Sequence, residues 1–334
     1  FRRVLFRSHY MTGDGNHHRM VEVDMMGNTI HNWDMLERGY TMHHAISQDK
    51  QGNILATVSK TSAKIANGKD VRINDFIIMM DPEKGEILQE WDLVHMLDSA
   101  RYGMTDYDLT SDPFAQSASN WAHNNGIVEW GDDYLATARY QGIFKFNKAG
   151  GIEWIISPHG YWRDKYLKLL LNPLHADGTP ITDPEVIAGT KNCDDFEWPW
   201  GCHTAVPLPN GHILYFNNGY GRNFKLDFTD RKNIYTCGIE YEVDEVNRTV
   251  RQVWQYGKER GAAYFTPARS GVQYLEQTGN RLICPGMSNV LSNGNRGARV
   301  TEVDPETQDV VFELELEDAI YQRVYRMSLY PENQ

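Results

Sequence analysis

Two consecutive stretches, HTAVPLPNGHILYFNN (His203–Asn218) and GIEYEVDEVNRTVRQVW (Gly238–Trp254), decide the fold class. In each, apolar and polar residues alternate with period two on both sides of a cluster of turn residues, which is the signature of a β-hairpin. Two hairpins in succession make a four-stranded antiparallel sheet, the blade of a β-propeller.

Working outward, the second stretch recurs along the chain. An alternating apolar run leads into Asp or Asn, a turn follows, and a further strand ends near an aromatic residue. The copies are MVEVDMMGNTIHNW (to Trp33), FIIMMDPEKGEILQEW (to Trp91), GIFKFNKAGGIEW (to Trp154) and VTEVDPETQDVVFEL (around Phe312). Copies of the first stretch stand at HHAISQDKQGNILATVS (from His43), HNNGIVEWGDDYLATAR (from His123) and SGVQYLEQTGNRLICPG (from Ser270). Internal repeats of this length indicate a repetitive architecture. The aromatic markers are evenly spaced except between Trp154 and Trp254, where an insertion over 158–200, rich in Pro, Asp and Trp, lengthens the interval.

The expectation is therefore an all-β chain, a β-propeller of four-stranded antiparallel blades with irregular insertions, spanning 17–334. Residues 1–16 carry no such pattern, and the basic FRRVLFRS at their start reads as non-native. The tail YQRVYRMSLYP, with Arg323 and Arg326, reads as one more inner strand that closes the ring. Segments 94–122 and 158–200 are irregular.

A chain of 334 residues can bury roughly 75% of its unfolded surface and needs no metal or disulfide to hold a core. A hydrophobic fraction of 41%, with nine Trp and 18 Tyr, is that of a globular protein. The net charge of −12 argues against nucleic acid and anionic membrane as partners, because both reward a Lys/Arg excess. An anionic substrate must then be drawn in by a local basic pocket. No apolar run reaches membrane-spanning length. Cys193, Cys202, Cys237 and Cys284 form no Cys-x-x-Cys pair and no zinc-like spacing. Cys193 and Cys202 bracket a short loop, so a disulfide there is one reading and four free thiols the other.

Histidine opens three of the four inner strand pairs: His43/His44, His123 and His203. Equivalent positions in successive blades converge at one mouth of a propeller's channel, so three in register point to a common centre. Asn125 shares a strand face with His123. Arg139 ends the next strand, while Thr204, Asn218 and Arg222 flank His203, and Arg269 and Ser270 open the following unit. Arginines among histidines and amides make an anion pocket. Three imidazoles can also bind zinc, but the arginines oppose a cation and no carboxylate shares the register, so no metal and no cofactor is expected.

With these residues identified, the chain resembles the bacterial aryl-sulfate sulfotransferases that use no nucleotide sulfate donor. The resemblance rests on WPWGCHTAVPLPNGHILYFNNGYGRNF, on WAHNNGIVEW with DDYLATARYQ, on ISPHGYW, on VWQYGKERG with YFTPARSG, and on VYRMSLYP. It implies a six-bladed propeller and transfer of a sulfuryl group from a phenolic sulfate ester to a phenol. The route would be ping-pong, through a sulfohistidine on His203. His123, Asn125, Arg139 and His44 are the implied sulfuryl-oxygen ligands, with His43 beside them. The residue pattern adds Thr204, Asn218, Arg222 and Arg269 as binding candidates, and Tyr140, Trp198, Trp200 and Tyr220 are candidates to stack on phenol rings. Where relatives often read Ser-Arg-His, this chain has Ala138-Arg139-Tyr140. The family reading also implies an exported, periplasmic protein, small-molecule donor and acceptor as partners, and leaves a homodimer open. A hydrolase on the same parts and a non-catalytic propeller binding anionic aromatics are the alternatives. Calcium-dependent propeller lactonases would need inward carboxylates that the sequence does not place in register.

Overall fold

The computed structural model describes residues 8–12, 19–24, 26–67, 70–113, 115, 120–227, 229–288 and 291–318. The chain divides into two units, residues 1–153 with 162–166 and residues 154–161 with 167–334. Among the described residues, no helix is long and apolar enough to cross a membrane.

The first unit opens with a three-stranded sheet of β1 (Ser8–Thr12), β2 (Arg19–Val23) and β3 (Thr29–Asp34). A four-stranded sheet follows, made of β4 (Tyr40–Gln48), β5 (Ile54–Asn67), β6 (Asp70–Met80) and β7 (Ile87–Asp92). The next holds β8 (Asn124–Trp130), β9 (Asp133–Ala138), β10 (Gly142–Phe146) and β11 (Ile152–Ile156). In the second unit, β12 (Asn172–Leu174) lies at the edge of a sheet of β13 (His203–Pro207), β14 (Ile213–Asn217), β15 (Cys237–Asp244) and β16 (Thr249–Tyr256). The last sheet is β17 (Gly271–Tyr274), β18 (Arg281–Cys284), β19 (Gly297–Val303) and β20 (Val310–Glu317). The fold class is thus all-β, and, apart from the edge strand β12, each full sheet is an antiparallel meander in chain order, the strand arrangement of a propeller blade.

The repeated Asp or Asn builds the outer turns. Asp24, Asp81, Asn147, Asp244 and Asp304 each accept hydrogen bonds from backbone N–H groups two to four residues on, such as Asn147 Oδ1 from Ala149 N and Gly151 N at 3.1 and 3.0 Å. Such side chains mimic a backbone turn and fix the hairpin register. The repeated Trp ties one blade to the next. Trp91 Nε1 donates to Lys148 O at 3.0 Å and Trp154 Nε1 to Glu245 Oε1 at 2.8 Å, each in the turn of the following hairpin.

The core of each unit lies between sheet faces. Met20 and Trp33 of the first sheet pack with Met42, Ile54, Val58, Phe76, Ile78 and Met80 of the second. Leu214 and Phe216 pack with Val272, Ile283 and Val303 in the other unit. Burying each such side chain contributes about 1.5–3 kcal/mol.

Two expectations change, and one open alternative is decided. Residues 8–12 are not unpatterned: they form β1, paired from Ser8↔Val23 to Thr12↔Arg19. A five-residue strand without a hairpin turn of its own carries too little periodicity to be read. The 158–200 insertion contributes β12, which runs parallel to β16 through Asn172↔Thr249, and a helix at Pro184–Ala188 capped by Asp183. All four cysteines are free thiols, so Cys193 and Cys202 are not bridged. Cys202 is fully buried and the Cys193 thiol donates to Asp195 instead. The expected closing strand with Arg323 and Arg326 lies outside the described residues.

Candidate active site

The inner strands of four sheets carry an unusual backbone at or near their starts. His44, His123, Thr204, Arg269 and Ser270 have φ of 57°, 54°, 45°, 61° and 126°, all in the positive region that side chains other than glycine rarely adopt. A β-bulge accompanies three of them: between Met42 and Ile46, between Asn124 and Gly126, and between His203 and Ala205. Bulges re-aim side chains that regular pleating would send to one face or the other. Strain of this kind, repeated at one register position, collects at functional sites.

In the first unit, the bulge lines up three half-buried imidazoles. His123 Nε2 lies 3.1 Å from His44 Nε2, and His44 Nδ1 lies 3.2 Å from His43 Nδ1. At one end, Asn120 Nδ2 is 2.9 Å from His123 Nδ1; at the other, His43 Nε2 is 3.6 Å from Asp75 Oδ1, an ion-pair distance just beyond a hydrogen bond. With Asn120 donating, one proton order satisfies the chain. His123 is protonated on Nε2 and donates to His44, His44 on Nδ1 donates to His43, and His43 on Nε2 faces the carboxylate. Burial pushes the Asp75 carboxyl up, but His43, the Asn124 N–H and His123 outweigh it and hold the group below its ordinary range. Ser59 Oγ and Asn124 N also donate to Asp75, both at 3.0 Å. A carboxylate does therefore share the histidine register, contrary to the sequence reading. It comes from the middle of β6, at the point where the polar first half of the strand gives way to the apolar Phe76–Met80.

Around this chain, Asn125 is buried and its Oδ1 accepts from Thr137 Oγ1 at 2.7 Å. Arg139 is buried, its N–H donates to His123 O at 3.0 Å, and its guanidinium sits 5.8 Å from the Tyr140 ring centre. Burial works against the Arg139 charge, yet Tyr140 and Asp112 hold its pKa above the ordinary value. Tyr140 is also buried, donating to Asp112 at 2.7 Å and meeting His123 edge-on at 5.9 Å between ring centres.

In the second unit, His203 is buried and its Nδ1 lies 2.7 Å from Asn218 Oδ1 and 3.2 Å from Gly201 O. Both partners are acceptors, so Nδ1 carries the proton and Nε2 the lone pair. The Asn218 amide cannot turn round, because its Nδ2 donates to Thr266 O at 2.9 Å and to Arg269 O at 3.2 Å. Thr236 Oγ1 in turn holds Asn218 O at 2.9 Å. Gly219 follows with φ 68°, where a Cβ would collide with the Tyr235 carbonyl, so glycine is required to end β14 there. One residue back, Asn217 accepts from Trp200 N and donates to Trp198 O, both at 3.0 Å, which fixes the loop that delivers His203.

Other expected ligands are placed differently. Arg222 is buried in an ion pair with Glu197, stacked 4.0 Å over the Tyr235 ring. Tyr235 and Lys258 also reach Glu197. Trp198 donates to Val186 O at 2.8 Å, Trp200 packs edge-on against Phe224, and Tyr220 is buried. Thr204 is buried at the bulge, and Arg269 is exposed. Asp75, Asn120 and Thr236 were not anticipated from sequence.

The sequence profile described as Arylsulfotransferase (ASST) matches residues 4–326. The arylsulfate sulfotransferase AssT of Escherichia coli O6:H1 is 29% identical over 339 residues, covering 92% of this chain and 56% of that protein. The protein of the same name from Lelliottia amnigena is 30% identical over 340 residues, with coverage of 92% and 56%. The chain thus spans about half the length of the curated relatives it matches. Among solved structures, a europium-containing methanol dehydrogenase aligns at TM-score 0.43 and 10% identity, over 95% of this chain and 68% of that one. The chain belongs to the arylsulfotransferase family.

Proposed function

We propose that this chain is an aryl-sulfate sulfotransferase that carries the sulfuryl group on Nε2 of His203. The observation that supports this most is the fixed tautomer: Asn218 Oδ1, 2.7 Å from Nδ1, leaves the lone pair on Nε2 of a buried imidazole. A neutral nitrogen with a directed lone pair is an activated nucleophile.

In the first half-reaction, Nε2 attacks the sulfur of an aryl sulfate, the N–S bond forms and the S–O bond to the ring breaks. The phenolate leaves and takes a proton. The sulfated imidazole keeps its Nδ1 proton and so carries a positive ring charge, which Asn218 Oδ1 stabilises by accepting from Nδ1. A second phenol then gives up its proton, attacks sulfur and restores neutral His203. Sulfuryl transfer resembles phosphoryl transfer, with a loose transition state whose charge sits on the equatorial oxygens, so positioning and electrostatics do most of the work. The family motifs assign oxygen binding to Arg139, Asn125, His123 and His44. The proton-ordered imidazole chain of the first unit suits His44 and His123 to proton exchange.

The test is intact mass after mixing the protein with p-nitrophenyl sulfate without acceptor. One added sulfuryl group, about 80 Da, on the wild type and none on His203→Ala supports covalent transfer. Steady nitrophenol release into water, with no adduct and no stimulation by phenol, would replace this reading with a hydrolase.

A further inference from the structure

We propose that His175, Cys193 and Asp195 form a binding site for one divalent ion of the zinc class. The three belong to the second unit; Cys193 and Asp195 are near neighbours in sequence and His175 lies well before them, so no Cys/His zinc spacing is visible. The fold brings one ligand atom from each to within 4.8 Å of the others. His175 Nδ1 lies 3.0 Å from Asp195 Oδ1, and Cys193 Sγ lies 3.1 Å from the same oxygen. Among the described residues, no other group of three such side chains converges in this way.

The backbone holds the ligands ready. His175 opens a closed turn, with its N–H donating to Thr179 O at 2.8 Å and its carbonyl accepting from Gly178 N at 2.9 Å. The second Asp195 oxygen accepts from Ala176 N at 2.9 Å, so the carboxylate is oriented from behind, as ligating carboxylates are. All three side chains are half-buried, which leaves room for an ion to enter and for water to take a fourth position.

Ligand chemistry selects the metal. Thiolate with imidazole and carboxylate suits zinc and its neighbours, whereas calcium and magnesium take oxygen. A tetrahedral zinc site separates its ligand atoms by about 3.3–3.5 Å, given bonds of about 2.0–2.3 Å. The present spacings of 3.0 and 3.1 Å need to open by a few tenths of an ångström. Binding replaces the Cys193 S–H bond with a metal–sulfur bond and releases that proton to solvent. The bound ion would tie the turn at His175 to the loop at Cys193–Asp195, within the insertion that leads to His203.

Cobalt(II) is the probe. The chelator-treated protein, thiols kept reduced, is titrated with cobalt and then with zinc. The expected result is one equivalent bound, a sulfur-to-cobalt charge-transfer band in the near ultraviolet, and its loss on adding zinc. Cys193→Ala should abolish the band and His175→Ala should weaken binding about tenfold or more, both with unchanged far-ultraviolet circular dichroism. His203→Ala should bind cobalt normally, which separates this site from the transfer chemistry. Absence of cobalt and zinc binding in competition with a chromophoric chelator overturns the proposal. So does a band that survives in Cys193→Ala, since it would come from another thiol.

Discussion

Nδ1 of His203 and Oδ1 of Asn218 are 2.7 Å apart, and that contact decides which imidazole nitrogen presents its lone pair. The amide is itself fixed by Thr266 O and Arg269 O, so the preference is built in before any substrate arrives. Catalytic groups gain from such prior ordering because nothing has to reorganise during reaction. Replacing Asn218 with leucine frees the ring to rotate and to exchange tautomers. The rate of sulfohistidine formation, followed by mass in rapid quench, should fall about 10²-fold or more. An unchanged rate in folded protein would mean that something other than Asn218 sets the tautomer.

Asp75 is held below the ordinary carboxylate range despite its burial. The unfolded chain then binds its proton more readily, so the stability this group contributes is present above the unfolded pKa of about 3.9. It is lost as pH falls through the lower folded value. Other carboxylates titrate in the same window, so the readout is the difference between wild type and Asp75→Asn. Melting temperatures measured from neutral to acid pH should be most different near neutrality and converge in acid. A constant offset at every pH would show that the substitution acts through packing alone.

Much of this was legible in the sequence, for identifiable reasons. The five outer hairpins could be read because Asp or Asn at a fixed place in the repeat caps its own turn. The inner strands opening on His43/His44, His123 and His203 were legible for the same reason, since repeat register survives as periodicity. The positive-φ residues and bulges that aim those histidines were not, because backbone strain has no signature in residue type: Thr204 and His123 look like any strand residue. Asp75 escaped because its contact with His43 joins strands β4 and β6, which share no local pattern. The partner of Arg222 escaped for a related reason, since the charge that meets it is on Glu197, inside the insertion.

Arg269 is exposed and sits at φ 61°, where a β-branched side chain is strongly disfavoured. Arg269→Val should lower stability by about 1–2 kcal/mol. Arg269→Gly should stay within about 0.5 kcal/mol of wild type, because relief of strain is offset by the extra freedom glycine has when unfolded. Chemical denaturation of both variants measures this. If Arg269 also binds the sulfate ester, KM should rise in both variants alike, whatever their stability.

The buried pair of Arg222 and Glu197 separates a structural arginine from a substrate ligand. Glu197 gathers three partners, Arg222, Tyr235 and Lys258, so removing it strands a buried guanidinium. Breaking a buried ion pair by deleting one member typically costs about 3–5 kcal/mol, while replacing both with apolar residues of similar volume is often close to neutral. Glu197→Gln and Arg222→Met alone should therefore each be strongly destabilising in urea unfolding. The double variant should recover most of the loss. Were Arg222 instead a ligand of the sulfate ester, Arg222→Met would raise KM with little change in stability, and the second substitution would restore nothing. The sign of the double-variant recovery decides between the two, because a substrate ligand has no reason to be rescued by losing Glu197.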